Sequence, residues 1–123
     1  MVIKIKLACF AAALLVITCH AEAAERRHYT ATQYLKNYAL SACLADGYKA
    51  TEVVNDATAG ANGYKELGSL SIEAYNDALV LVRSFLKKEY PSQSGEPLTV
   101  MKCIDLYNSK ELDQLARRYA PLK

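Results

Sequence analysis

The side chains able to do acid–base, nucleophilic or metal chemistry are few in this chain. Its 123 residues include two histidines, His20 and His28, and four cysteines, Cys9, Cys19, Cys43 and Cys103. A Ser-His-Asp triad or a Cys-His pair needs its base held within about 3 Å of the nucleophile. His28 lies in a stretch with no helical or strand pattern, a poor place to hold a base. Metal sites need several His, Cys or carboxylate ligands at close spacing. There is no C-x-x-C, no H-x-x-x-H and no C-x-x-C-H for haem. A Gly-rich phosphate loop and a dinucleotide fingerprint are also missing. Glu73 and Asp77 are spaced i,i+4, which reads as charge on a solvated helix face. Lys87-Lys88 and Arg117-Arg118 fall near expected helix C-termini, where cations complement the dipole. The sequence therefore predicts no catalytic residue, no metal and no cofactor.

Part of this inventory belongs to an N-terminal leader. Lys4 and Lys6 form a short positive region, and Leu7 to Thr18 is an apolar run of secretory-signal length. That run is short of the ~20 residues that span a bilayer. Ala21-Glu22-Ala23 offers an A-x-A cleavage site, and Cys19-His20-Ala21 a second one. An uncleaved buried or amphipathic helix is one alternative. Lipoprotein processing at Cys19 is another, although Thr18 is a poor residue to precede the cysteine. Residues 1–23 are expected to be a signal peptide and residues 24–123 a single domain of 100 residues. Removing Lys4, Lys6 and Glu22 from 15 basic and 13 acidic residues leaves 13 and 12, so charge selects no nucleic-acid or membrane partner. Hydrophobic residues at 52% and charged residues at 23% mark a globular chain. The exported part keeps Cys43 and Cys103, and two cysteines in an oxidising compartment most simply form one disulfide. Two buried free thiols are the alternative.

The elements that must carry these cysteines read as helices. Residues 24–29, with Arg26, Arg27 and His28, read as a mobile leader. Thr30 and Gln33 have capping-box spacing ahead of a first helix that runs to about Asp46, with Gly47 as its stop. Leu35, Ala39, Ala42 and Cys43 share one side of it, while Leu40 and Leu44 fall opposite. A helix apolar on two sides is expected to be central. A second helix spans about Glu52 to Leu67, with Val53, Ala57, Gly60, Tyr64 and Leu67 on one face. A third starts after Ser71 and is expected to run to Tyr90, where Pro91 ends it. Ile72, Tyr75, Leu79, Val82, Leu86 and Tyr90 form one stripe, and Ala78, Leu81 and Phe85 a second. Both strips could be core. Alternatively Leu81 and Phe85, with Leu40 and Leu44, cover another chain, because a domain of this size has little capacity to bury every apolar face. Pro91 to Pro97 is a polar loop. A fourth helix follows, with Val100, Cys103, Ile104 and Tyr107 inward. Ser109 caps a fifth, with Leu112, Leu115, Ala116 and Tyr119 inward and Pro121 at its end. The fold class expected is all-α, a bundle of about five helices with one disulfide.

Four segments also carry a resemblance. They are Asn37-Tyr38-Ala39-Leu40-Ser41-x-Cys43-Leu44-Ala45-x-Gly47-Tyr48, then Gly63-Tyr64-x-Glu66-x-Gly68, then Glu73-Ala74-Tyr75, and last Met101-Lys102-Cys103-Ile104-Asp105-Leu106-Tyr107-x-Ser109-x-Glu111-Leu112-Asp113. Together they resemble the type VI secretion amidase immunity proteins of the fourth family. The likeness covers about Asn37 to Tyr119, and the Met101–Tyr107 run is its most specific part. It implies a periplasmic helical protein that binds and blocks a peptidoglycan amidase delivered by neighbouring cells. The implied partner is a papain-like cysteine amidase, and the family forms dimers that clasp the toxin and push a loop into its cleft. In this chain the segment suited to that task is Pro91 to Pro97. Ser92, Gln93, Ser94 and Glu96 supply hydrogen-bonding groups without bulk, and Gly95 permits close backbone approach. The bracketing prolines reduce the entropy lost on docking. A periplasmic holdase chaperone is the alternative function, and a small hydrolase a formal third. Export is checked by the intact mass of the protein recovered from the periplasm. Cleavage near Ala21 or Ala23 is expected, and a mass that retains residues 1–20 overturns it.

Overall fold

The computed structural model describes residues 28–121, so the expected signal peptide and most of the leader lie outside the described residues. Five α-helices follow one another: α1 (Ala31–Gly47), α2 (Thr51–Leu67), α3 (Ile72–Leu86), α4 (Thr99–Tyr107) and α5 (Lys110–Tyr119). Among the described residues there is no strand.

The first helix begins as its sequence dictates. Thr30 Oγ1 accepts from the Gln33 amide and Gln33 Oε1 accepts from the Thr30 amide, closing the capping box. Tyr29, expected in the leader, is packed instead, its ring edge-on to Tyr34 at 5.5 Å and to Tyr64 at 6.2 Å. Helix α1 is central and touches each of the other four helices. Leu35, Ala39 and Cys43 on it are fully buried, and Tyr38 and Ala42 nearly so. Leu40 and Leu44 are half-buried against the same core. Gly47 belongs to α1 rather than standing beyond it, and Tyr48 is the C-cap, with extended backbone. The glycine is needed for contact, because a Cβ there would run into the Thr99 methyl and approach Leu86 Cδ2 to 2.9 Å.

Helix α2 packs on α1 and buries only Ala61. Its expected inner face is thus mostly open: Val53 and Leu67 are exposed, and Ala57, Gly60 and Tyr64 half-buried. A helix with one substantial neighbour buries one narrow arc, and small residues occupy it here. Helix α3 packs against α1, α4 and α5. Its buried arc runs through Ala74, Tyr75, Ala78, Val82 and Phe85. The Tyr75 ring meets Tyr38 edge-to-face at 4.9 Å. Ile72 is exposed, and α3 ends at Leu86, short of Tyr90. The last turn closes through Lys87 and Lys88 amides on Arg83 and Phe85 carbonyls.

Helix α4 is rotated from expectation. Thr99, Cys103 and Leu106 are buried, while Val100 and Ile104 are about half exposed. Cys103 faces inward as expected, bonded to Cys43 with Cα atoms 5.6 Å apart, and its buried companions are Thr99 and Leu106. Tyr107 is half-buried beneath Lys36, whose Nζ lies 4.8 Å from its ring centroid. Helix α5 is as expected: Ser109 Oγ accepts from the Leu112 amide, and Leu112, Leu115 and Ala116 are buried. Two polar ties hold it. Lys36 Nζ donates to Asp113 at 2.6 Å, and that hydrogen bond holds the Asp113 carboxyl below its ordinary 3.8. Tyr119 Oη donates to Asp77 at 2.6 Å.

The disulfide closes a loop of 60 residues. In the chain-entropy account such a bridge contributes ~4 kcal/mol by constraining the unfolded chain. Both sulfurs belong to residues with 0% exposure. Thiol titration of the denatured, unreduced protein is expected to find no free thiol at Cys43 or Cys103. Cys103→Ala should lower unfolding free energy by about 2–4 kcal/mol in denaturant titration. Two reactive thiols, or an unchanged midpoint, would contradict the bridge.

Candidate functional site

The longest irregular segment among the described residues runs from Lys87 to Leu98, between α3 and α4. Its far portion, Gln93 to Pro97, is exposed, and Ser92 is half-buried. Ser94 Oγ lies 3.4 Å from Ser92 Oγ and accepts from the Glu96 amide at 3.4 Å. These bonds within the tip keep its polar groups at the surface. Gly95 has φ +78, with no atom within 4 Å of where a Cβ would stand. The glycine there is required by the backbone rather than by space.

Both ends of the loop are anchored. On the α3 side, Lys88 Nζ sits 3.3 Å from the centroid of the buried Phe85 ring. Tyr90 Oη donates to Asp105 Oδ2 on α4. That bond, more than partial burial, raises the Tyr90 pKa above its ordinary 10.0, so the contact is fully present at neutral pH. It is lost as pH rises through the raised value. On the α4 side, Leu98 is left-handed, with φ 52 and ψ 37. For a residue with a Cβ this costs about 1–2 kcal/mol. It turns the chain sharply into α4, where Thr99 Oγ1 donates to the Gly47 carbonyl at 3.3 Å. A shallow groove of about 270 Å3 lies beside this turn, lined by Tyr48, Glu96 to Thr99, Val100 and Met101.

The other residues singled out in the sequence do not form one surface. Leu44 lines a groove of about 480 Å3 between α1 and α2, with Glu52 and Asp56 on its rim. Leu81 lines a separate one of about 340 Å3 between α3 and α5, with Asp77, Val80, Ser84, Leu115 and Arg118. Leu40 is half-buried against the core. Phe85 is 4% exposed, so it is core and not a partner face. It continues the Ala78–Val82 arc in steps of four and three, and α3 buries that arc against three helices. The sequence reading missed Val80, which is 65% exposed, and the exposed apolar trio Val100, Met101 and Ile104.

Among the described residues no group of three His, Cys, Asp or Glu side chains comes together. His28 is exposed ahead of α1, and Cys43 and Cys103 are joined.

The described residues form an all-α, disulfide-tied domain with an exposed loop anchored at both ends. The chain belongs to the Tai4 family, the type VI secretion system amidase immunity proteins, whose model matches residues 33–116. A solved effector–immunity structure, Tae4/Tai4 from Salmonella typhimurium, is similar at 36% identity and TM-score 0.71, covering 76% of this chain and 93% of that one. A structure from a study of type VI-secreted toxins and self-resistance proteins in Serratia marcescens is similar at 28% identity and TM-score 0.70, covering 78% and 79%. The Tae4–Tai4 complex from Enterobacter cloacae shares the fold at 22% identity and TM-score 0.65, covering 72% and 90%. No curated protein matches the chain.

Proposed function

We propose that this chain is an exported, periplasmic immunity protein that binds a type VI secreted peptidoglycan amidase and blocks its active-site cleft, with no catalysis of its own. The observation that carries the reading is the placement of Ser92 to Glu96: a polar tip, exposed from Gln93 on, between two anchored ends, on a domain of the amidase immunity family. A papain-like amidase holds a Cys thiolate beside a His in a narrow groove. Ser92, Gln93 and Ser94 would hydrogen-bond across such a groove, Gly95 would let the backbone close on it, and Glu96 would pair with a protonated His. The relatives from Salmonella and Enterobacter are described with their effectors, which supports an amidase as the partner.

The same reading includes a homodimer. Val80 and Leu81 form an apolar edge on the groove between α3 and α5, and symmetric pairing is the commonest way to cover such an edge. Light scattering at high micromolar concentration is expected to give the mass of a dimer, and Val80→Lys that of a monomer. A monomeric wild-type chain overturns this part.

The loop is tested by replacing Ser92 to Glu96 with a Gly-Ser linker of equal length. The variant should fold, with unchanged helical circular dichroism, and lose inhibition of peptidoglycan cleavage by the cognate amidase. Unchanged inhibition by the folded variant would move the blocking surface to a helical face.

A further inference from the structure

The Met101–Tyr107 run has two polar members, Lys102 and Asp105, whose placement the core does not explain. They are three residues apart on α4 and so share one face of it. Both reach the start of the loop. Lys102 Nζ donates to the Leu86 carbonyl at 3.2 Å and lies 5.8 Å from the centroid of the Tyr90 ring. Asp105 accepts from the Tyr90 hydroxyl. One helix face thus holds both ends of the segment Leu86 to Tyr90.

The Leu86 carbonyl is the acceptor that the Tyr90 amide would use if α3 continued, since helical bonds run from residue i to i−4. Periodicity alone carries α3 on to Tyr90, and the structure stops it four residues earlier. Lys102 occupies the acceptor, and Asp105 holds the Tyr90 side chain down on α4. Pro91 adds to this by disfavouring helical backbone at Tyr90. Segment 87–90 therefore has two competing arrangements, another stretch of α3 or the lower limb of the loop, and contacts from α4 favour the second.

We infer that Tyr90, Lys102 and Asp105 are positioning residues, a clamp that keeps segment 87–90 unwound so that Ser92 to Glu96 project in the conformation an amidase cleft accepts. The inference rests on the reading that this loop enters the cleft. A loop present in the competent arrangement only part of the time binds more weakly in proportion to that fraction. The clamp raises the fraction before the partner arrives.

The experiment combines hydrogen exchange of the free protein with affinity for the cognate amidase. Tyr90→Phe removes the hydroxyl and keeps the ring. Asp105→Ala removes the acceptor, whereas Asp105→Asn keeps a carbonyl oxygen that accepts from the hydroxyl. Lys102→Met frees the Leu86 carbonyl. Tyr90→Phe and Asp105→Ala are expected to weaken amidase binding about fivefold, the scale of one exposed hydrogen bond, with Asp105→Asn close to wild type. Thermal midpoints should stay unchanged for Tyr90→Phe, since the contact is exposed. In the clamp variants amide exchange should change only over residues 87–96, and Lys102→Met should slow it at residues 88–90 as α3 lengthens. Unaltered exchange over 87–96 in all the variants overturns the clamp, whatever the loop does. Altered exchange with unaltered affinity overturns its part in binding. If the Gly-Ser replacement of Ser92 to Glu96 inhibits normally, the loop reading has failed, and the exchange data alone decide whether the clamp exists.

Discussion

Helix α4 has nine residues, too few to be stable alone in water, where isolated helices need roughly 12–15. It starts from a left-handed leucine and has no side-chain cap at its N-terminus. What holds it is the covalent bond from Cys103 to Cys43 on α1, with Leu106 fully buried one turn on. Much else depends on that attachment. The loop takes its direction from α4 at one end and is fastened to α4 near the other. The missing Cβ of Gly47 admits the Thr99 methyl and brings the end of α1 against the start of α4.

The helices were legible where local chemistry decides them. The Thr30–Gln33 box and the Ser109 cap mark helix starts by hydrogen bonds that need no partner helix. The inner face of α5 was legible because Leu112, Leu115 and Ala116 are the only large or small apolar residues between charged ones. Helix α1 was correctly central, since apolar residues on two sides require neighbours on two sides. The errors lie where two readings have equal periodicity. On α4, Cys103 faces inward in either of two arcs, with Thr99 and Leu106 or with Val100, Ile104 and Tyr107, and the sequence pattern alone favoured the second. On α3, Phe85 fits a surface strip and a core arc equally well until α4 and α5 are in place.

The loop itself could be read from its two prolines, but its fastening could not. Tyr90 and Asp105 are 15 residues apart and Lys102 and Leu86 are 16 apart, with an irregular segment between. No periodicity reports such contacts. Helix α2 shows the opposite failure: a clean stripe that is mostly not buried, because α1 is its one substantial neighbour. Amphipathicity states what a helix could cover and leaves open what the rest of the chain supplies.

The ring closed by the disulfide encloses everything from Cys43 to Cys103, so Ser92 to Glu96 lie inside it. An exposed loop is also where a chain is most open to proteolytic nicking. A single peptide cut at the tip would leave two polypeptides, one ending α1 to α3 and the other starting with α4. They would stay joined through Cys43 and Cys103, with α4 and α5 still seated on the core. The severed ends would remain anchored near their original places, so the scissile groups would stay at high effective concentration. Nicking at the tip would not let the domain fall apart.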